Sequence, residues 1–238
     1  MEQDFFRKEL KYIISYKKAL AIKAELAGKM KPDEFTDPKK GYFIRSLYFD
    51  THNFSFFLDK IDGTSNRIKL RLRTYWNDPH IAKIVKVEIK SKHNNLYLKY
   101  SDIIDLNEYR YFVRNKNFIK LNNIRTEFLR LIKVKNLLPS LIVDYNRFGY
   151  QPIEPSQLRI TFDYDLRFLS TNKINLFPQK NFNSWRYLLN KYFILEIKLK
   201  EHFPLWLLDI IKKYDLYSSA VSKYCDGISL SQNFTSRL

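Results

Sequence analysis

The sequence has 238 residues, with 42 Lys and Arg against 25 Asp and Glu, a formal charge of +17. Hydrophobic residues at 45% and aromatics at 16% exclude a disordered chain, and the length suffices for a sizeable core. One cysteine, Cys225, excludes an internal disulfide framework, no run approaches the ~18 apolar residues of a membrane span, and Met1-Glu2-Gln3-Asp4 does not open a signal peptide, so a cytoplasmic chain is expected.

In chain order, alternation predicts a strand over Lys8–Ile14, then a helix capped by Ser15 and running to Lys29. A strand over Tyr42–Asp50 leads to a short amphipathic helix, Asn53–Ile61, closed by Gly63. Arg67–Tyr75, Lys83–Lys90 and Leu96–Ile104 read as strands, followed by a helical pair at Asn107–Asn115 and Asn122–Lys135. Three further strands are expected at Ser140–Phe148, Leu158–Leu166 and Tyr192–Lys200. Pro204 suits the first turn of a helix ending at Tyr214, and Ser218–Tyr224 completes the set. No repeat or linker divides the chain, so residues 1–238 read as one domain of α+β class with a mainly antiparallel sheet.

Side chains two apart on a strand share a face. Ile68, Leu70 and Leu72 oppose Arg67, Lys69, Arg71 and Arg73; Val85, Val87 and Ile89 oppose Lys86, Glu88, Lys90 and Lys92. Leu195, Ile197 and Leu199 oppose Glu196, Lys198 and Lys200, Ile160 and Phe162 oppose Arg159, Thr161 and Asp163, and Leu10 and Tyr12 oppose Glu9 and Lys11. One such strand is an ordinary half-solvated sheet. Closed into an eight-stranded β-barrel tunnel with its apolar face outward and helices packed outside, the sheet would gather these five mostly basic faces into one basic lumen. Two cations ~8 Å apart repel by roughly 2 kcal/mol at an effective dielectric near 20, so such a lumen is strained until an anion enters it. The aromatics are not concentrated on the basic faces, so no nucleic acid is expected as partner. The four histidines are scattered, and neither zinc spacing nor a P-loop occurs.

Eight motifs in order carry a family resemblance: Arg7-Lys8-Glu9-Leu10-Lys11-Tyr12, Ser46-Leu47-Tyr48-Phe49-Asp50-Thr51, Arg67 through Tyr75, Val87-Glu88-Ile89-Lys90, Tyr145-Asn146-Arg147, Leu158 through Asp163, Leu195-Glu196-Ile197-Lys198 and Ser222-Lys223-Tyr224. Together they resemble the VTC domain, the catalytic domain of polyphosphate polymerases among the triphosphate tunnel metalloenzymes. The resemblance implies ATP and inorganic polyphosphate as substrates, with Mn²⁺ or Mg²⁺ as cofactor. It implies phosphate ligands at Lys11, Lys69, Arg71, Arg73, Lys90, Arg147, Arg159 and Lys223, with Tyr48, Ser222 and Lys198 also touching substrate. Glu196 would hold the metal, with Glu9 and Glu88 as further candidates. Hydrolytic relatives begin with Glu-x-Glu-x-Lys, whereas Arg7 stands at the first Glu here, which tilts the expectation from hydrolysis toward transfer. Yeast relatives carry the domain on membrane segments that export the product. This sequence has none, so export would need a membrane-protein partner, holding the chain at the inner face of the membrane. A non-catalytic polyanion sensor or adaptor and a tripolyphosphate hydrolase are the alternative readings.

Overall fold

The computed structural model describes residues 8–94, 96–154, 156–179, 184–189, 191–200 and 202–232. Arg7, the residue that distinguishes the first motif from its hydrolytic relatives, lies outside them. The order of elements is β1 (Lys8–Ser15), α1 (Tyr16–Glu25), β2 (Met30–Pro32), β3 (Tyr42–Asp50), α2 (Ser55–Ile61), β4 (Asn66–Thr74), β5 (Ile84–His93), β6 (Leu96–Asp105), α3 (Leu106–Asn115), α4 (Asn123–Val134), β7 (Leu138–Pro152), β8 (Arg159–Ser170), β9 (Arg186–Leu189), β10 (Tyr192–Leu199), α5 (Leu205–Lys213) and α6 (Lys223–Ser231). Side-chain caps begin the helices where short polar residues stand. Ser15, Asp105, Asn122 and Ser222 accept hydrogen bonds from the third backbone N–H onward of α1, α3, α4 and α6.

Eight strands form one antiparallel path in the order β1-β10-β8-β7-β3-β4-β5-β6, with β2 added to β7 and β9 to β8. The expected barrel is not closed. β1 and β6 are the two ends of the path, and no ladder joins them among the described residues. Alternation with period two decides which side chains share a face; it carries no information on whether the two end strands meet. The sheet is nevertheless strongly curled. Lys11 on β1 and Lys69 on β4 are five strand steps apart, about 24 Å along a flat sheet, yet both reach the two residues before α6. Irregularities in register at Tyr48/Phe49 and at Asp144/Asn146 bend the central strands β3 and β7. The result is an open trough.

Apolar residues of the outer face are covered in two halves. α3 and α4 pack Phe112, Phe128 and Leu131 onto Leu47, Leu70, Leu72, Val85 and Val87. α1 and α5 place Ile22, Leu26, Leu207 and Ile210 on Ile160, Phe162, Leu195 and Ile197. A third core lies within the trough, where α6 sets Tyr224, Cys225 and Ile228 among Ile44, Tyr48, Leu141, Val143 and Ile194. Gly227 makes this packing close, because a Cβ there would run into the Leu141 side chain. The trough is thus filled by α6 at part of its length and polar elsewhere.

Candidate functional site

The β3–β4–β5 wall is built around one carboxylate. Arg71 and Glu88 are cross-strand partners, and Arg71 Nε lies 2.7 Å from Glu88 Oε2. Arg73 Nε lies 3.6 Å from the same oxygen and donates to Ser46 Oγ at 3.1 Å. Arg71 also donates to the Tyr48 hydroxyl at 3.3 Å, so Tyr48 faces the trough. Burial alone would raise Glu88, but Arg71 and Arg73 outweigh it and hold the carboxyl well below the usual carboxylate range. The same guanidiniums outweigh burial at Tyr48 and lower its phenol. Lys69 donates to Ser222 Oγ at 3.3 Å, and burial lowers its ammonium. Lys90 forms no hydrogen bond or ion pair among the described residues. Burial, then Arg71 and Lys198, push it well below the usual lysine range.

The opposite wall carries three carboxylates. Lys11 is the cross-strand partner of Glu196 and lies 2.8 Å from Glu9 Oε1. Lys198 bridges Glu196 Oε1 at 2.7 Å and Glu9 Oε2 at 3.4 Å. Arg147 grips Asp163 with two nitrogens, one at 2.7 Å, and extends to 3.8 Å from Glu196 Oε2. Lys223, the first residue of α6, lies 2.6 Å from Asp163 Oδ2. Burial would raise Glu196; Lys198, Arg147, Lys223 and Lys11 together hold it well below the usual range. At Asp163 burial is likewise outweighed, by Arg147 and Lys223. Arg159 stands at the rim, 2.9 Å from Asp33 Oδ2 and 3.3 Å from the Tyr42 hydroxyl.

All of the residues expected at the site therefore lie on one curled face, Arg159 at its margin. Asp163 joins the site without being among the expected residues, although alternation puts it on the face of Arg159 and Thr161. Asp33 was missed because it sits in a loop, where no period marks a direction. The excess of charge is local: Lys11, Lys69, Arg71, Arg73, Lys90, Arg147, Lys198 and Lys223 are eight cations set among four carboxylates, Glu9, Glu88, Asp163 and Glu196. Such a face suits a compact polyanion with several phosphate groups. No group of three or more metal-ligating side chains stands together among the described residues. Glu9 and Glu196 do share the Lys198 ammonium, so two hard oxygen donors lie side by side. That set fits a small divalent cation that takes its remaining ligands from substrate phosphates and water, rather than an all-protein cage. Glu88 stands on the other wall and is paired with Arg71 and Arg73.

The VTC domain model matches residues 6–232, nearly the whole sequence, and the chain belongs to that family. No curated protein sequence matches it. Among solved structures, a candidate adenylate cyclase from Bacillus halodurans is similar in fold, with a TM-score of 0.57 at 16% identity over 97% of this chain and 98% of that one. The PH1819 protein of Pyrococcus horikoshii OT3 aligns with a TM-score of 0.49 at 13% identity over 96% and 99%. The Mimivirus capping enzyme triphosphatase aligns at 0.34 and 11% identity over 86% and 89%. No helix among the described residues is long and apolar enough to cross a membrane.

Proposed function

We propose that this member of the VTC domain family is an ATP–polyphosphate phosphotransferase, which extends a polyphosphate chain in its trough with the terminal phosphoryl group of ATP. The observation that carries the reading is the excess of cations over carboxylates on one face, with the Lys90 side chain making no ion pair among the described residues. In the reaction the bond between the terminal phosphorus and its bridging oxygen breaks, and the electron pair leaves on ADP. A terminal oxygen of the polyphosphate forms the new bond. That nucleophile is already an anion, so no general base has to remove a proton.

The work of the protein is then positioning and charge stabilisation. Arg71, Arg73 and Arg147 offer planar forks to phosphate oxygens, and Lys11, Lys69, Lys90 and Lys223 offer point charges. Arg159 meets phosphate at the rim, Lys198 faces it beside Glu196, and the Tyr48 and Ser222 hydroxyls can donate to its oxygens. Carboxylates hold these cations in place: Glu88 fixes Arg71, and Asp163 fixes Arg147 and Lys223. Mn²⁺ or Mg²⁺ held by Glu196 and Glu9 would supply neutralisation and alignment of the phosphates.

Incubation with ATP, Mn²⁺ or Mg²⁺ and a short polyphosphate primer is expected to yield longer polyphosphate and an equal amount of ADP. Arg73→Ala and Glu196→Gln are each expected to lower that yield at least a hundredfold while the protein remains folded, roughly the cost of one transition-state charge contact. Wild-type protein that forms no polymer with either metal and any primer would overturn the reading. Orthophosphate released without chain growth would replace it with hydrolysis, and salt-dependent polyphosphate binding without turnover would replace it with an adaptor.

A further inference from the structure

Beyond Arg73 the wall of the trough changes from cations to rings. Tyr42 opens the β3 row that continues through Ser46 and Tyr48, and Tyr75 follows the last residue of β4; both pack against the core inside the trough. Their centroids are 6.4 Å apart. Trp76 stands edge-on to Tyr75 at 6.3 Å, and Phe35 edge-on to Tyr42 at 6.3 Å. Four rings from three separate segments thus form a ladder leading from the charged face to solvent.

Simple packing would bury the outermost ring, yet Phe35 is 65% exposed. The loop that presents Phe35 is firmly held. Asp33 N–H donates to the Gly149 carbonyl at 2.9 Å, the Gly149 N–H donates to Thr36 Oγ1 at 2.9 Å, and Asp33 accepts from Arg159. Gly149 is required for this contact, because a Cβ would overlap the Asp33 carboxylate. Cations flank the ladder: Lys86 Nζ lies 5.4 Å from the Tyr75 centroid, and Arg159 donates to the Tyr42 hydroxyl. Tyr75 follows Arg73 by two residues, just past the end of β4, so the rings begin next to the last arginine of the charged row.

We infer that the Phe35–Tyr42–Tyr75–Trp76 ladder receives the nucleoside base of ATP by stacking, and so sets the direction in which the triphosphate lies. The inference rests on the phosphotransferase reading and adds to it the subsite for the part of the donor that carries no phosphate. A base on the rings places the terminal phosphate inward, toward Lys69, Lys90 and the start of α6. Rings recognise the flat face that every base has, so the subsite separates a nucleotide from bare polyphosphate rather than one base from another.

The test compares binding of ATP with binding of inorganic tripolyphosphate by titration calorimetry, at one fixed concentration of Mg²⁺. In the Phe35→Ala/Trp76→Ala double variant, ATP is expected to bind about tenfold more weakly or worse, with tripolyphosphate within about twofold of wild type. The tripolyphosphate titration also reports that the trough is folded. A Phe35→Tyr/Trp76→Phe variant, which keeps two rings, is expected to stay within about threefold of wild type for ATP. Unchanged ATP binding in the alanine variant overturns the stacking inference and leaves the transferase reading standing. Equal weakening of both ligands also overturns it, because the rings would then only shape the trough. Wild-type protein that binds neither ligand removes both readings together.

Discussion

Two arginine–aspartate forks sit on opposite faces of β7, three residues apart, and they do opposite things. Arg45 reaches Asp144 with two nitrogens at 2.7 and 2.6 Å on the outer face, and its third donor goes to the Leu176 carbonyl at 3.0 Å. Trp185 covers the Arg45 guanidinium, and both charged side chains are almost fully excluded from solvent. Arg147 grips Asp163 in the same way on the trough face, but Glu196, Lys223 and Lys198 stand around it and the cations are in excess. Arg167 Nε also lies 3.5 Å from Asp144 Oδ2, so the carboxylate of the first fork is saturated by two cations and ties β3 and β8 to β7. The second belongs to an unbalanced set whose surplus is available to a ligand. Asp144 and Asp163 each meet two cations, so the pairing alone does not separate a structural ion pair from a binding one; enclosure of both arginines beneath Trp185 marks the first as structural.

Removing one partner from the saturated fork is expected to have the largest effect. Asp144→Ala leaves Arg45 buried without its counter-ion and should cost about 3–5 kcal/mol in chemical denaturation. Tripolyphosphate affinity should be unaltered where the variant is still folded. A loss of affinity with little loss of stability would abolish the contrast. Lys90→Met should do the reverse, weakening tripolyphosphate binding about tenfold while raising the stability of the ligand-free protein by about 1 kcal/mol, since a buried cation crowded by Arg71, Lys198 and Arg73 is removed.

The same variant sharpens the comparison through pH. Folding depresses the Lys90 ammonium, so between its folded value and the ordinary 10.5 the unfolded chain holds more protons. Stability of the wild type should therefore gain from this group as pH rises through that window, and the gain should be missing in Lys90→Met. Identical slopes in the two proteins would show that Lys90 is not in a cation-rich surrounding. The smallest effect is expected at Asp226, at the edge of the site, where burial outweighs the pull of Lys223, Lys11 and Lys69. Burial pushes its carboxyl up to about 6 from 3.8, so the native state holds the extra proton and stability should fall as pH rises from about 4 to about 6. Asp226→Asn should flatten that fall, by roughly 1–2 kcal/mol after allowing for its partial exposure; an unaltered profile would mean that Asp226 is solvated.

Much of this organisation was legible in the sequence because strands write their faces with a period of two. Lys69, Arg71 and Arg73 on one side and Leu70 and Leu72 on the other could be assigned without coordinates. Closure was not legible, since it depends on whether Lys8–Ser15 and Leu96–Asp105 meet after eight strands have curled. Two short strands, Met30–Pro32 and Arg186–Leu189, were missed because three or four residues are too few to show alternation. The last helix was expected over Ser218–Tyr224, but Ser222 is its cap and it runs on to Ser231. Gly227 lowered its apparent propensity, and tertiary packing against Leu141 overrides that. The aromatic ladder was invisible for a different reason, since Phe35, Tyr42 and the Tyr75-Trp76 pair become neighbours only through the fold.

The placement of α6 has a consequence for the order in which the protein comes into being. Every strand of the trough precedes this helix along the chain, and synthesis delivers them first. Until Ser222 and Lys223 emerge, Asp163 lacks one of its cations, Lys69 has no hydroxyl to meet, and Asp50, which accepts from the Tyr224 hydroxyl, lacks that donor. The sheet without α6 lacks the contacts by which Lys11 and Lys69 meet the residues before that helix. The finished set of trough contacts thus arrives only with α6, and a copy that stops short of Ser222 has an unfinished trough.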